Sequence, residues 1–319
     1  MPPAESPRVV TLGETMGLLY SDIPGSLAQL PTMRLSIGGA ESNVAIALSR
    51  LGTPAAWIGR TGDDSLGERV RRELRAEGVD VHSVVDSTAP TGLMLKERRT
   101  NDSLSVYYYR AESAGSRLTA GDIPVGLIER AAVLHVTGIT AALSDSARET
   151  IFVAIASARA AGVPVAFDVN HRARLWRGRD PEETYRRMAG GADLVFAGED
   201  EAAILVPGVR NLRDLLLGIA ALGPTTVVIK LGAAGCIALI DGAEYRQDAV
   251  RISPLDTVGA GDAFVAGYLA EYVARASAED RLRLAVEAGA FACLSTGDWE
   301  GLPRRDELKL LRATEPVTR

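Results

Sequence analysis

Residues 256–264 read DTVGAGDAF, from Asp256 to Phe264. Gly259 and Gly261 carry no side-chain bulk, so a ligand can approach the main chain closely there. The Ala-rich apolar run that follows predicts a helix over 261–274. The first N–H groups of a helix have no intrahelical partner and point outward at the positive end of the dipole. A glycine turn at that end is an anion hole suited to a phosphate. Asp262 sits inside it. A carboxylate at this position has two readings. It can cap the helix N-terminus. It can instead take a proton from a substrate hydroxyl attacking a phosphate, while the N–H groups of Gly259, Ala260 and Gly261 offset charge on the group in transfer.

Outward from this turn the chain alternates strands with amphipathic helices. Strands are predicted at 8–12, 55–59, 133–137, 163–169, 194–197 and 226–230. Helices are predicted at 44–51, 65–77, 146–161, 212–222 and 278–295, with a further one from 199. This rhythm gives a mostly parallel sheet covered on both faces, an α/β fold. Over 65–77, Leu66, Val70 and Leu74 recur every fourth residue, and Arg69, Arg71, Arg72 and Arg75 are interleaved with Glu68, Glu73 and Glu77. That is a solvated outer face and not a basic patch. Two hairpins stand out, the first of them outside this rhythm. Residues 91–97 and 104–110 read as a hairpin around a polar turn at 100–103, and 236–240 and 244–250 as another around Asp241-Gly242. The first hairpin adds a small β layer. With no internal repeat or long linker, 1–319 reads as a single domain.

Composition narrows the function. Lys plus Arg total 35 against 41 Asp plus Glu, a formal charge of −6, which excludes a basic face for nucleic acid. Two cysteines, Cys236 and Cys293, are too few for a disulfide framework or a cysteine zinc cluster and fit a reducing compartment. No apolar run is long enough for a membrane span, and residues 1–7 do not read as a secretory signal, so the expected location is the cytoplasm. There is no GxxxxGK[ST] loop and no GxSxG elbow. The GxG at 259–261 lacks the third glycine of a dinucleotide fingerprint, where Phe264 stands, and lies far from the first strand. His135 reads as a core or sheet-end residue, and His171 as structural or as part of a site rim.

The segment DTVGAGDAF strongly resembles the C-terminal signature of the ribokinase-like (PfkB) carbohydrate kinases. The stretch from Gly38, GGAESNVAIALSRLG followed by WIGRTGDDSLG, resembles the N-terminal signature of the same family, and KLGAAG at 230–235 resembles its nucleotide-phosphate loop. The three occur in family order. The resemblance implies a three-layer α/β/α domain with a mostly parallel central sheet and a small β-sheet lid formed by approximately 14–37 and 91–112. It implies ATP-dependent phosphorylation with Mg²⁺, Asp262 as the base, and Gly38, Gly39 and Asn43 against the sugar. Lys230, Gly232, Gly235, Gly259 and Gly261 would border the nucleotide phosphates. The metal-associated NxxE motif lacks its Asn here, at Gly198-Glu-Asp-Glu201, which leaves Glu201 to order a water on Mg²⁺; Asn170 is a second candidate for the metal or phosphate region. The resemblance also implies a monovalent cation such as K⁺ near Asp256 and the loop at 295–301.

Further segments resemble 2-keto-3-deoxygluconate kinases: Gly13-Glu14, YYR at 108–110 with SAGS at 113–116, and DVNHR at 168–172 followed by Leu175-Trp176. An acidic sugar is then implied, its carboxylate held by Arg110 and Arg172, with Tyr108 donating its hydroxyl. Strand alternation puts Tyr107 and Tyr109 on the opposite face, where packing is the expected role. Met94 replaces a Tyr common in that subfamily, which keeps a neutral-sugar kinase, for fructose or ribose, as the alternative. A non-catalytic sugar- or nucleotide-binding regulator is the third reading. The expected partners are the sugar acid, ATP and further copies of the chain, as a homodimer or larger assembly, with neither nucleic acid nor membrane.

Overall fold

The computed structural model describes residues 8–312 apart from 22, 101–102 and 177. The expectation for residues 1–7 and the tip of the turn at 100–103 lie outside the described residues. In chain order the strands are β1 (Val9–Leu12), β2 (Met16–Tyr20), β3 (Arg34–Gly38), β4 (Ala55–Gly62), β5 (Asp80–Asp86), β6 (Leu93–Thr100) and β7 (Ser103–Tyr109). There follow β8 (Val133–Thr137), β9 (Val165–Asp168), β10 (Leu194–Gly198), β11 (Thr226–Lys230), β12 (Cys236–Ile240) and β13 (Ala243–Gln247). The helices begin with α1 (Ala40–Arg50), α2 (Ser65–Ala76), α3 (Gly138–Leu143), α4 (Asp145–Ala160) and α5 (Ala173–Trp176). They continue with α6 (Glu182–Gly190), α7 (Glu199–Leu205), α8 (Leu212–Ala220), α9 (Ala260–Val273) and α10 (Ala278–Ala292).

The large sheet runs β13-β12-β11-β10-β9-β8-β1-β4-β5, parallel except for the two antiparallel pairings of β12 with its neighbours. Its strands alternate between two cores, because successive side chains point to opposite faces. Val9, Trp57 and Phe196 join the core under α1, α9 and α10; Val10, Ile58 and Val195 join the one under α4, α6 and α8. Two helical layers therefore sandwich the sheet. On α2 the sequence reading holds: Val70 and Leu74 are buried, Arg69 and Arg72 pair with Glu73, and Asp64 caps the helix by accepting from Gly67 N–H. The strand β5, at the sheet edge, escaped the sequence reading because its residues are mostly half-exposed and show no apolar alternation.

The chain leaves β1 toward β4 and β5, then returns to β8 on the other side of β1. In an open α/β sheet such a switch of direction leaves a crevice at the carboxyl ends of the strands. A separate four-stranded sheet, β3-β2-β6-β7, stands over that end. Its strands come from 16–38 and 93–109. The pair β2–β3 was not read as strands from the residues alone.

Candidate active site

Between the crevice and the small sheet lies a cavity of about 550 Å³. Met16, Met94, Lys96 and Tyr108 of the small sheet form one wall; Asp262 and Gly261 of α9 form another. Register explains the first wall. Leu18, Met94 and Tyr108 pair across β2, β6 and β7, so one face of the small sheet looks inward. Tyr107 and Tyr109 alternate to the other face, and here the packing expectation is corrected. They are 42% and 65% exposed, and Tyr107 donates its hydroxyl to Glu97 at 2.9 Å. A sheet packed on one face leaves its alternate residues in solvent.

Gly259 adopts a φ of 78°, the left-handed region, and α9 starts at Ala260. A Cβ at Gly259 would run into the Asp298 carbonyl oxygen. No side chain caps this helix, so the capping reading of Asp262 fails. Its carboxylate instead accepts from Asn43 Nδ2 at 2.8 Å and from Asn170 Nδ2 at 3.3 Å. Asn43 is on α1, one turn beyond the Gly38-Gly39 pair. Asn170 follows β9 with φ 37°, a conformation Asn tolerates better than most residues. Burial pushes the Asp262 carboxyl up to about 7; the Asn43 bond opposes that rise, Asp168 and Asp298 add to it, and Arg172 counters it. A carboxyl poised near neutrality suits a general base.

Lys230 closes β11 and places Nζ 2.8 Å from Asp168 Oδ1. Burial works against its charge, yet Asp168 and Glu201 hold its pKa above the ordinary lysine value. A second cavity of about 550 Å³, walled by Val250, Ile252, Phe264 and Val286, meets the first at Lys230, Thr257 and Gly261. Gly232 lines the second cavity. Gly235 lines neither; at φ 90° its missing Cβ lets the turn press against the Gln247 backbone. Gly39 lines the first cavity, whereas a Cβ at Gly38 would collide with Asp298 and Met94. The structure thus gives Gly38 and Gly235 backbone-packing roles in the site's frame.

Glu201, in the first turn of α7, accepts from His171 N–H at 2.7 Å and from Gly198 N–H at 2.6 Å, and lines the first cavity. Among the described residues no three His, Cys, Asp or Glu side chains gather as a metal cage. Mg²⁺ needs none, since it keeps waters and takes phosphate oxygens, so one oriented carboxylate fits it. His171 has a structural partner, as expected: Nδ1 lies 3.0 Å from the Tyr185 hydroxyl.

The two arginines differ. Arg172 lines the cavity, and the one hydrogen bond its side chain makes among the described residues goes to the His171 carbonyl at 3.1 Å. Arg110 also lines the cavity but is buried against Glu14: Nε donates at 2.7 Å and Nη2 lies 2.5 Å from the same oxygen. The sequence reading gave Arg110 wholly to a substrate carboxylate and did not foresee this internal partner. It also passed over Glu41 and Asp298. Glu41 is fully buried, takes the hydroxyls of Thr137 and Thr140 on Oε1, and has no partner on Oε2 among the described residues. The signal available was an acid inside a run of small residues. Asp298 meets Lys96 in a buried ion pair. Asp256 is likewise engaged, 3.0 Å from Arg98. With that carboxylate already paired to an internal cation, the residues at Asp256 do not fit the monovalent ion expected there.

Comparison with known proteins agrees with this geometry. Residues 6–305 match the family described as pfkB family carbohydrate kinase. A 2-dehydro-3-deoxygluconokinase of Bacillus subtilis is 36% identical over 94% of this chain and 93% of its own length. The crystal structure of a PfkB protein from Polaromonas superposes with a TM-score of 0.86 at 33% identity, covering 94% of this chain and 98% of that one. A fructokinase double mutant from Vibrio cholerae, with fructose, ADP and a potassium ion bound, gives 0.84 at 28% identity, covering 96% and 98%.

Proposed function

Since this chain belongs to the pfkB family of carbohydrate kinases and is an ATP-dependent sugar kinase, we propose that it phosphorylates 2-keto-3-deoxygluconate at the terminal hydroxyl. The observation that carries the reading is the meeting of two cavities at Lys230, Thr257 and Gly261, one polar and one apolar, with Asp262 on the polar side. The apolar cavity takes the nucleotide base and the polar one the sugar, so the γ-phosphate comes to the N-terminus of α9. Asp262 accepts the proton of the attacking hydroxyl. The N–H groups at the start of α9 and the Lys230 ammonium stabilise the charge that develops on the phosphoryl oxygens. Glu201 would hold Mg²⁺ through water, and the ion, when bound, would supply positive charge to offset that of the phosphates. The small sheet acts as the lid that excludes water.

Arg172 supports the acidic substrate, because it offers the cavity a guanidinium with no carboxylate partner among the described residues. Arg110 keeps Nη1 for the substrate while Glu14 fixes its plane. The test is ADP release with ATP and Mg²⁺ against 2-keto-3-deoxygluconate, gluconate, fructose and ribose. Turnover is expected on the keto-deoxy acid. Arg172→Leu should raise its KM by about ten- to a hundredfold, the worth of a charge-assisted pair. Preference for fructose or ribose, or an equal loss on acid and neutral sugars, would refute the acidic reading and keep the kinase.

A further inference from the structure

Arg98, on β6, spans from the small sheet to the turn that precedes α9. Its Nη1 donates to the Leu255 carbonyl at 2.9 Å, and its Nη2 lies 3.0 Å from Asp256 Oδ2. The other Asp256 oxygen accepts from Val258 N–H at 3.1 Å, one residue before Gly259. Both side chains are largely buried, at 12% and 4% exposure. A carboxylate and a neighbouring main-chain carbonyl facing one positive charge are the kind of oxygens that a hard monovalent cation would take. Here the guanidinium covers both. It compensates the carboxylate and fills the volume beside it, so no charge remains for a second cation to balance.

We infer that Arg98 is a tethered cation that stands in for the monovalent ion at the Asp256 turn. It is a positioning residue. It acts on the Gly259 anion hole through Asp256 and Val258 and touches neither phosphate nor sugar. Because it arrives on the small sheet, the positive charge reaches the turn only when that sheet is seated. Completion of the anion hole and exclusion of water thus become one event. The inference rests on the chain being a sugar kinase and not on which sugar it takes.

The experiment compares potassium chloride with choline chloride at equal ionic strength. Rates are taken with ATP, Mg²⁺ and whichever sugar of the panel turns over. Thermal unfolding of the full chain without substrates is followed in parallel. Wild-type rate and melting temperature should be indifferent to the change of salt. Arg98→Ala and Arg98→Gln should lose about tenfold or more in choline and regain most of it in potassium, an ordinary size for coupling between two sites. Potassium should also raise the melting temperature of those variants, because an ion that binds only the fold stabilises it. Arg98→Lys should remain indifferent. A wild type that loses tenfold on removal of potassium overturns the inference, as do Ala and Gln variants indifferent to potassium in both readouts. If no sugar turns over, the substrate reading fails, and the melting arm still decides the role of Arg98.

Discussion

Asp262→Asn tests the catalytic reading through two properties that must move in opposite directions. The carboxyl has an ordinary pKa of 3.8, raised in the fold to about 7 chiefly by burial. At about 1.4 kcal/mol per unit, holding it ionised in the fold costs on the order of 4 kcal/mol. A group whose folded pKa exceeds its unfolded one binds its proton more tightly when folded. Its contribution to stability is full below the unfolded value, falls as pH rises toward about 7, and is gone above it. The amide carries no such penalty. It would present an NH₂ to Asn43 Nδ2, but Asn43 Oδ1 is buried without a partner among the described residues and can turn to accept it. The variant should therefore be more stable than the wild type, by a margin that widens by roughly 2–3 kcal/mol between about pH 5 and about pH 8. Urea midpoints at the two pH values measure this. Turnover should fall by about 10²–10⁴-fold, the usual worth of a general base. Near-native turnover in the folded variant, or a stability margin that does not change with pH, would refute the reasoning.

Two further outcomes follow from the same geometry. The bond from Asn43 favours the ionised form of Asp262, so Asn43→Ala should move the acid limb of kcat/KM upward from about 7; a limb that stays in place would mean another group controls it. Gly259→Ala combines a left-handed φ of 78° with a collision against the Asp298 backbone. It should cost about 1–3 kcal/mol in thermal or urea stability and at least about tenfold in kcat, and unchanged values for both would remove the turn from the mechanism.

The sheet and its covering helices were legible because strands buried on both faces, such as β1 and β10, read as short, nearly continuous apolar runs set between amphipathic helices. The glycine turn that opens α9 was legible because Gly259 and Gly261 stand just before an apolar run. The partners of the charged groups were not legible. Glu14 and Arg110 are 96 residues apart in the chain, and Lys96 and Asp298 come from different sheets and loops. Nothing in the local pattern links them, since an ion pair leaves no periodicity. Tyr107 and Tyr109 failed for a related reason. Alternation fixes which face a residue takes, but whether that face is covered depends on elements distant in sequence.

These unforeseen pairs change how the site handles charge. Lys230 meets Asp168, Lys96 meets Asp298, Arg98 meets Asp256 and Arg110 meets Glu14. Each cation is held in place by a carboxylate before any substrate arrives. Pairing sacrifices part of the bare attraction for phosphate, but it fixes donor direction, and preorganised donors need no rearrangement when charge develops in the transition state. It also keeps each buried cation from carrying an uncompensated charge, which would be more costly than the pair. On the proposed reading, the net attraction for an anionic sugar then falls to Arg172, and that for the nucleotide to the helix N–H groups. Selectivity for an acid over a neutral sugar should therefore concentrate at Arg172, while variants of the paired cations lower turnover on both.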